Sequence, residues 1–505
     1  MIETVNTTEQ SFLQLVKKMA SYNEALALIF WDLRTGAPKK GVEQRSEVIG
    51  VLSQEVFAMS TSDEMKDYIQ ALTKEDVYSA LPSITKKLVK ECRKEYERNK
   101  KIPQDEYAAY TVLVTQAESK WEEAKAKADF AMFEPYLEKI VAYNRKFIEY
   151  WGYEGNPYNT LLDMYEPGMT VEILDEMFGK LRKEIVPLVQ QIADSDHKPD
   201  TSFLYKRFAK DDQKAFSMEL LKQLQYDLEA GRLDETVHPF EITLNSGDVR
   251  ITTKYNETDF QQAIFGTIHE CGHAIYEQNV SKELEGTLLA QGTSMGIHES
   301  QSLFFEILIG RNVGFWKHNF PLIQQYSPSQ FKDVALEDYY RAINASKPSL
   351  IRIEADELTY PLHIMIRYEI EKALFNNEIE VAQLPKIWNE KYKEYLGVEP
   401  GNDGEGVLQD VHWAGGSFGY FPSYALGFMY ASQFKHAMLK DLPNFDAILE
   451  SGDITPIKTW LNTHIHQYGK LKDPLELVHD ITGEGLNVQY LIDYLKEKYS
   501  KIYQL

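Results

Sequence analysis

The sequence predicts a mainly α-helical protein with one short β region. Through most of the 505 residues, apolar side chains recur at helical spacing. Residues 238–255 instead alternate apolar and polar side chains, as half-buried β-strands do. Residues 401–427 follow neither pattern, because glycines interleave there with aromatic residues. We therefore expect long helices, a small β element and one glycine-rich loop segment.

The N-terminal part is expected to form helices over residues 7–35 and 42–75, with a break at Gly36-Ala37-Pro38. A charged helical stretch starts at Pro82 and is interrupted at Pro103, and another helix is expected to run from there to about residue 130. Charge runs of this kind are usually solvent-exposed helices. Their functional alternative is a mobile cover over an active site.

Residues 135–235 are interpreted as helical, with breaks at residues 153–157 and at Pro167-Gly168. Thr170 can cap the helix that follows, over residues 171–195.

Residues 238–255 predict a β-hairpin with its turn at Asn245-Ser246-Gly247. Before the turn, apolar residues alternate with polar ones from Phe240 to Leu244, and the alternation resumes from Val249 to Thr253. An extended strand beside a catalytic site can bind a peptide by pairing with its backbone.

A His-Glu-x-x-His motif at residues 269–273 is the strongest chemical signal in the chain. On a helix, His269 and His273 lie about 40° apart around the axis, so both imidazoles can reach one zinc ion. Glu270 lies about 100° from His269, beside the metal rather than on it, where a general base is needed. The alternative interpretation is a buried helix with two incidental histidines. Gly272 costs about 1 kcal/mol inside a helix, which predicts a close-packed neighbour there.

A third ligand is expected, because zinc hydrolases use three protein ligands and keep one position open for water. The segment Gly296-Ile297-His298-Glu299-Ser300-Gln301 precedes another apolar helical pattern. Glu299 lies one turn before Leu303 and should point toward the core, where an unpaired carboxylate is costly unless a cation binds it. Spacing alone leaves His298 as an alternative ligand.

After the predicted ligand helices, a segment opening at Lys347-Pro348 leads into a helix that continues to about residue 375. Residues 401–427 are expected to form loops, where functional residues tend to gather. Residues 428–505 are predicted to be helical and structural.

Composition and charge exclude several classes of function. The net charge of −23 disfavours binding to nucleic-acid backbones and to anionic membrane surfaces. The two cysteines, Cys92 and Cys271, form no disulfide framework, which fits a reducing cytoplasm. Residues 1–6 lack the features of a signal peptide, and no apolar run approaches about 18 residues. We therefore expect a cytoplasmic protein without a membrane span.

With these motifs in order, the chain resembles the carboxypeptidase Taq family of zinc metallocarboxypeptidases. Each motif is short, but their joint occurrence over residues 238–413 is specific. The motifs are His238-Pro239-Phe240, Asp248-Val249-Arg250-Ile251-Thr252, His269-Glu270-Cys271-Gly272-His273, His298-Glu299-Ser300-Gln301, Ile351-Arg352-Ile353-Glu354-Ala355-Asp356 and Gly406-Val407-Leu408-Gln409-Asp410-Val411-His412-Trp413.

The resemblance implies a mainly helical, elongated, two-lobed peptidase fold with a deep central groove. It also implies a cytoplasmic homodimer that removes single residues from peptide C-termini with broad specificity. It assigns one zinc ion to His269, His273 and Glu299, which selects Glu299 over His298. Cobalt or manganese could occupy the same ligands.

With no linker-like stretch in the sequence, we expect a single peptidase domain over residues 1–505. Residues 1–235 would contribute helices, including possible covers of the groove. Residues 236–427 would form the catalytic core, and residues 428–505 a helical C-terminal part.

The implied reaction is hydrolysis of the last peptide bond, with Glu270 as general base. Similar enzymes stabilise the oxyanion with a Tyr and a His, which nominates Tyr420 and His412. The alternative for Tyr420 is one aromatic residue among many. The alternative for His412 is a hydrogen-bonded core histidine.

A carboxypeptidase must also recognise a free carboxylate, which the fork of an arginine binds well. Arg250 and Arg352 are the candidates, and structural salt bridges with Asp248 and Asp356 are the alternatives. His238 is expected to shape or line the groove.

Two other functions remain open on the sequence alone. A zinc endopeptidase with the same ligands would cleave peptides whose C-termini are amidated. A helical interaction protein with an inactive metal-like motif would bind no stoichiometric zinc.

Overall fold

The structure is a computed structural model that describes residues 2–505, with side chains from residue 7 onward. Residue 1 and the side chains of residues 2–6, on which the expectation of no signal peptide partly rests, lie outside that description. The predicted fold class, mainly helical with a small sheet, is confirmed. Across residues 2–505, no helix combines the length and the apolar character needed to span a membrane.

Within the described residues, ten α-helices precede the sheet. They are α1 (Ile2–Thr35), α2 (Val42–Ser60), α3 (Asp63–Leu72), α4 (Glu75–Ala80), α5 (Ser83–Lys101), α6 (Gln104–Lys127), α7 (Glu134–Trp151), α8 (Asn159–Leu162), α9 (Val171–Asp194) and α10 (Lys210–Gln223). The single helix predicted over residues 42–75 is divided, because the Ser62 hydroxyl accepts a hydrogen bond from the Met65 amide and begins α3. Thr170 caps α9 as predicted, since its hydroxyl accepts from the Ile173 amide at 3.4 Å.

The sheet has three strands, β1 (Gly231–Glu235), β2 (Glu241–Asn245) and β3 (Asp248–Thr253), in the order β1-β3-β2. The predicted hairpin is the antiparallel pair β2–β3. Strand β1 pairs in parallel with β3, so the helical interpretation of residues 135–235 is wrong at its end. The sequence of β1, Gly-Arg-Leu-Asp-Glu, contains one apolar side chain in five residues and carries no alternation to reveal an edge strand.

Twelve further α-helices follow the sheet in the described chain. They are α11 (Phe260–Gln278), α12 (Met295–Leu303), α13 (Val313–Tyr326), α14 (Pro328–Phe331), α15 (Leu336–Ile343), α16 (Tyr360–Phe375), α17 (Leu384–Leu396), α18 (Pro422–Asp441), α19 (Phe445–Ser451), α20 (Thr455–His464), α21 (Pro474–Thr482) and α22 (Gln489–Tyr503). Helix α12 continues directly into a π-helical turn over Phe304–Ile309. Residues 397–421 contain no regular helix, which agrees with most of the loop segment predicted over residues 401–427. Residues 422–427 belong to α18, so the predicted end of that segment is wrong.

Helix α12 is packed closely between α11 and α18, and each neighbour approaches it through a glycine. A Cβ atom at Gly272 of α11 would lie 2.5 Å from the Gln301 carbonyl oxygen. A Cβ atom at Gly427 of α18 would lie 2.6 Å from the Glu299 side chain. The close neighbour predicted for Gly272 is therefore the α12 main chain. The same contacts hold the two motif-bearing helices at short range within a hydrophobic core that extends from Phe12 to Tyr503.

Candidate metal centre and active site

Three side chains from α11 and α12 converge on one point. The Nε2 atoms of His269 and His273 lie 3.8 and 3.4 Å from the same Glu299 carboxylate oxygen, Oε2. Potential ligand atoms of the three residues all lie within 4.8 Å of one another. Tetrahedral zinc ligands at about 2.0–2.1 Å from the ion are about 3.3 Å apart, so these separations fit a single metal ion.

The ring of His269 is fixed from behind by an acidic side chain. Its Nδ1 atom lies 2.9 Å from the Glu306 carboxylate, which also accepts a hydrogen bond from Arg311 at 3.3 Å. A carboxylate on the far ring nitrogen directs Nε2 toward a metal and raises the basicity of the ligand.

A second chain of contacts supports His273. The Nδ1 atom of His273 lies 2.6 Å from Nδ1 of His298, and Nε2 of His298 lies 3.0 Å from the Glu277 carboxylate. Glu277 also accepts a hydrogen bond from the Gly292 amide at 2.7 Å. The two ring nitrogens of His298 thus contact His273 Nδ1 and Glu277, and His298 is not part of the group whose ligand atoms converge. The structure brings Glu299, not His298, to the Nε2 atoms of the two motif histidines.

The electrostatics of the triad favour a cation. Burial lowers the pKa of His269, but Glu299 and Glu306 outweigh it and raise that pKa to about 10. Burial and His298 lower the pKa of His273 to about 3. Burial alone would raise the pKa of Glu299, yet the two histidines hold it below its usual value. The site therefore attracts one positive charge, which a divalent cation with two nitrogen ligands and one oxygen ligand can supply.

Glu270 lies on the same helix as the histidines and is 8 % exposed. Burial raises its pKa to about 7. Among the described residues, no hydrogen bond engages its carboxylate. Glu241 of β2 lies nearby, 4.0 Å from His298 Nε2, and burial likewise raises its pKa.

Tyr420 and His412 belong to a cluster of aromatic rings at one side of the triad. Tyr420 lies edge-on to Tyr165 at 5.1 Å and to Tyr424 at 5.2 Å, and the His412 ring is 5.5 Å away. Burial and the negative charge of Glu299 raise the pKa of Tyr420, so its hydroxyl stays protonated. Burial lowers the pKa of His412 to about 3, so its ring is neutral. Its Nε2 atom lies 3.4 Å from the Tyr424 hydroxyl.

Arg352 is 7 % exposed and contacts this cluster. It donates to Asp410 through Nε at 3.2 Å and through Nη2 at 3.0 Å, and to the Tyr360 hydroxyl through Nη1 at 3.0 Å. Its guanidinium is 5.0 Å from the Tyr424 ring centre. The alternative interpretation of Arg352, a structural salt bridge, is present in the structure, but its partner is Asp410 and not Asp356. Asp356 accepts hydrogen bonds from the backbone amides of Lys347 and Thr359.

Arg250 projects from the opposite face of the sheet to the metal helices. The hydroxyl of Thr253 on β3 lies 3.1 Å from the hydroxyl of Thr267 on α11. Because strand side chains alternate between the two faces, the odd-numbered residues of β3, including Ile251, face α11. Arg250 lies between them and faces α1, with its guanidinium 5.4 Å from the Trp31 ring centre. It forms a two-pronged salt bridge with Asp248 at 2.6 and 2.7 Å, as the alternative interpretation expects.

A cavity of about 580 Å³ lies on this α1 face. Its lining includes Arg45, Arg232, Arg250 and Trp31. Among the described residues that line it, none belongs to the triad of His269, His273 and Glu299. His238 lies on the exposed connection between β1 and β2. The structure thus brings Glu270 and Tyr420 close enough to the triad for charge interactions with it and places His412 beside Tyr420, whereas Arg250 lies on the opposite face of the sheet.

Sequence reasoning missed the residues that support the ligands, although two of them carried a signal. Glu277 follows His273 by four residues on the same helix, and Glu306 is a lone carboxylate in the apolar run Phe304–Ile309. Tyr165, Tyr360 and Tyr424 carried no such signal, because helix packing alone brings them to the site.

Comparisons with known proteins agree over the whole chain. The model of the family described as "Carboxypeptidase Taq (M32) metallopeptidase" matches residues 11–499. "Carboxypeptidase 1" of Bacillus subtilis is 58% identical over 99% of this chain and 100% of its own length. "Thermostable carboxypeptidase 1" of Thermus thermophilus is 40% identical over 99% of this chain and 100% of its own. A solved M32 carboxypeptidase from Deinococcus radiodurans superposes with a TM-score of 0.95 at 33% identity, covering 99% of this chain and 100% of that one.

Proposed function

This chain belongs to the carboxypeptidase Taq (M32) family of metallopeptidases, and we propose that it hydrolyses the last peptide bond of peptides with a free C-terminus. Membership makes the chain a metallocarboxypeptidase that acts on peptides and uses a divalent metal. The proposal adds that the metal is zinc, that single amino acids are released with broad specificity, and that named residues perform the steps. The observation that carries it is the convergence of His269, His273 and Glu299, with the carboxylate of Glu270 close enough to interact with the charges of His269 and Glu299.

His269, His273 and Glu299 would hold the ion, each in a defined orientation. Glu306 fixes the ring of His269, and His298 fixes that of His273. A bound divalent cation supplies Lewis acidity, which polarises the scissile carbonyl and lowers the pKa of a water molecule.

Glu270 is proposed as the general base. It takes a proton from the attacking water, whose oxygen forms a bond to the scissile carbonyl carbon. When the carbon–nitrogen bond breaks, Glu270 returns that proton to the leaving amine, so both protons and electrons balance. Its pKa of about 7, raised by burial, suits a group that must both accept and donate near neutral pH.

Tyr420 is proposed to donate a hydrogen bond to the oxyanion, with His412 as a second donor. A donor must keep its proton throughout, and the raised pKa of Tyr420 ensures this. His412 is neutral and therefore adds no charge of its own to the site.

Arg352 is the better candidate for the substrate carboxylate. Burial raises the pKa of Tyr360, the hydrogen-bond partner of Arg352, and the negative charge of Glu299 raises it further, which supports a position of this pair near the triad. Arg250 faces α1 instead. Recognition by a buried guanidinium also rejects mid-chain peptide bonds, which carry no charge.

The remaining expectations stay predictions: zinc rather than cobalt or manganese, a homodimer in the cytoplasm, one peptidase domain over residues 1–505, and a lining role for His238.

Paired short peptides with a free or an amidated C-terminus test the proposal. Zinc-loaded wild type should release single C-terminal amino acids from the free acid only, and Glu270→Gln should not. Equal cleavage of both peptides at internal bonds would make the protein an endopeptidase. Absence of stoichiometric zinc together with absence of hydrolysis would favour an inactive interaction protein.

A further inference from the structure

A buried carboxylate from the N-terminal half of the chain binds the first turn of the Glu299 helix. Glu166 lies in the connection between α8 and α9 and is 2 % exposed. One carboxylate oxygen accepts a hydrogen bond from the Gly296 amide at 2.9 Å. The other accepts from the Tyr430 hydroxyl of α18 at 2.8 Å. Glu166 therefore joins α12 to α18.

The contact is a close fit. A Cβ atom at Gly296 would lie 2.6 Å from the Glu166 oxygen, so a side chain at this position would displace the carboxylate. The residue before Glu166 adds a main-chain bond, since the Tyr165 carbonyl accepts from the Met295 amide at 3.1 Å. Ser294 caps the same helix through the Ile297 amide. The backbone amides at the N-terminus of α12 are thus bonded from outside the helix.

Both anchors lie close to Glu299. Gly296 precedes Glu299 by three residues, about one helical turn. Tyr430 follows Gly427 by three residues on α18, and Gly427 is the residue that packs against the Glu299 side chain. A shift of either helix at Glu166 would therefore move the ligand carboxylate.

We propose that Glu166 is a positioning residue for the metal ligand Glu299, acting through the N-terminus of α12 and through Tyr430. The inference rests on the proposed function, because it assumes that Glu299 binds the metal. A negative charge at a helix N-terminus also stabilises the helix through its dipole. Burial raises the pKa of Glu166 to about 7, so the group carries its charge at pH 8.

The test is zinc affinity at pH 8, measured by competition with a chelator on full-length protein. Supporting contacts behind metal ligands typically contribute 10–100-fold to affinity. We expect Glu166→Ala to weaken zinc binding about tenfold. Glu166→Gln should lose less, because its amide oxygen still accepts from Gly296 and its NH2 group can donate to the Tyr430 oxygen. Tyr430→Phe should fall between wild type and Glu166→Ala, since it removes one anchor and keeps the carboxylate.

A matched control separates positioning from general stability. Glu357 is a similarly buried carboxylate, 8 % exposed, but its partner at 2.7 Å is Lys498 of α22. Glu357→Gln should lower the unfolding temperature and keep wild-type zinc affinity. Zinc affinity within twofold of wild type in a folded Glu166→Ala would overturn the inference, and where Glu166→Ala does not fold, the same result for Tyr430→Phe would overturn it. Failure of wild type to bind one zinc per chain would instead overturn the proposed function.

Discussion

The two faces of the three-stranded sheet differ in what they contribute to the site. On the α11 face, Val249 and Ile251 are fully buried, and Glu241 reaches His298. On the α1 face, Arg232 and Arg250 lie side by side over Trp31. Arg250 and Ile251 are neighbours in one sequence motif, yet they belong to different environments, because successive strand residues point to opposite faces.

Two neighbouring residues of one sequence motif can therefore lie on opposite sides of the sheet, so membership of a motif does not by itself bring a side chain to the site. Arg250 points away from the metal helices because side chains alternate along β3. Arg352 is more than fifty residues beyond the metal ligands in sequence, yet it lies beside the aromatic cluster around Tyr424. The comparison therefore predicts large effects for changes on the metal side of the sheet and small ones for changes on the α1 face.

The largest effect is expected from Glu270→Gln. Loss of a general base lowers rates by about 10²–10⁴-fold, so kcat should fall by about 10³-fold. Metal content per chain should stay unchanged, because no ligand is removed. Steady-state kinetics with metal analysis on the same preparation checks both. A variant that keeps a tenth of wild-type kcat would remove Glu270 from the proposed chemistry.

Arg352→Ala should have the next largest effect, on selectivity. Charge-assisted hydrogen bonds contribute about 1.5–3 kcal/mol, so the preference for free-acid over amidated peptides should fall about 100-fold. The loss should appear mainly in KM for the free acid.

Arg352→Lys serves as the control, because it keeps the charge and loses the fork. It should show an intermediate loss of selectivity. Unfolding temperatures of both variants must accompany the kinetics, since removal of the guanidinium leaves Asp410 buried with the more distant Arg367, at 3.7 Å, as its remaining cation. Unchanged selectivity in a folded Arg352→Ala would break the distinction between the two arginines.

His298→Ala should weaken metal binding about tenfold, because it removes the group that orients His273. Competition with a chelator measures the loss. His436→Ala provides the matched control, as this histidine is exposed and stacks on Tyr490 away from the triad. Equal affinity in the two variants would mean that the His273 ring needs no support.

Helical periodicity predicts the parts of the site that lie within one element. His269 and His273 share a helix face as expected. The glycine at position 272, which destabilises a helix, predicted a close neighbour, and that neighbour is the α12 main chain. Pairings between distant elements could not be predicted. Asp410 is 58 residues from Arg352 and binds it in place of Asp356, because tertiary packing brings loop 397–421 beside that segment. Strand β1 escaped prediction because an exposed, charged edge strand has no period-two pattern.

The smallest effect is expected from Arg250→Ala, on the α1 face of the sheet. The change removes a partly exposed salt bridge with Asp248 and a cation over Trp31, together worth about 1 kcal/mol. Because the side chain faces α1, kcat/KM for a free-acid peptide should stay within twofold of wild type while the unfolding temperature falls slightly. Arg232 lies beside Arg250 on the adjacent strand β1, and Arg232→Ala should have the same small effect. A tenfold rise in KM for Arg250→Ala alone would mean that substrate binds across both faces, and the carboxylate would then be shared between two arginines.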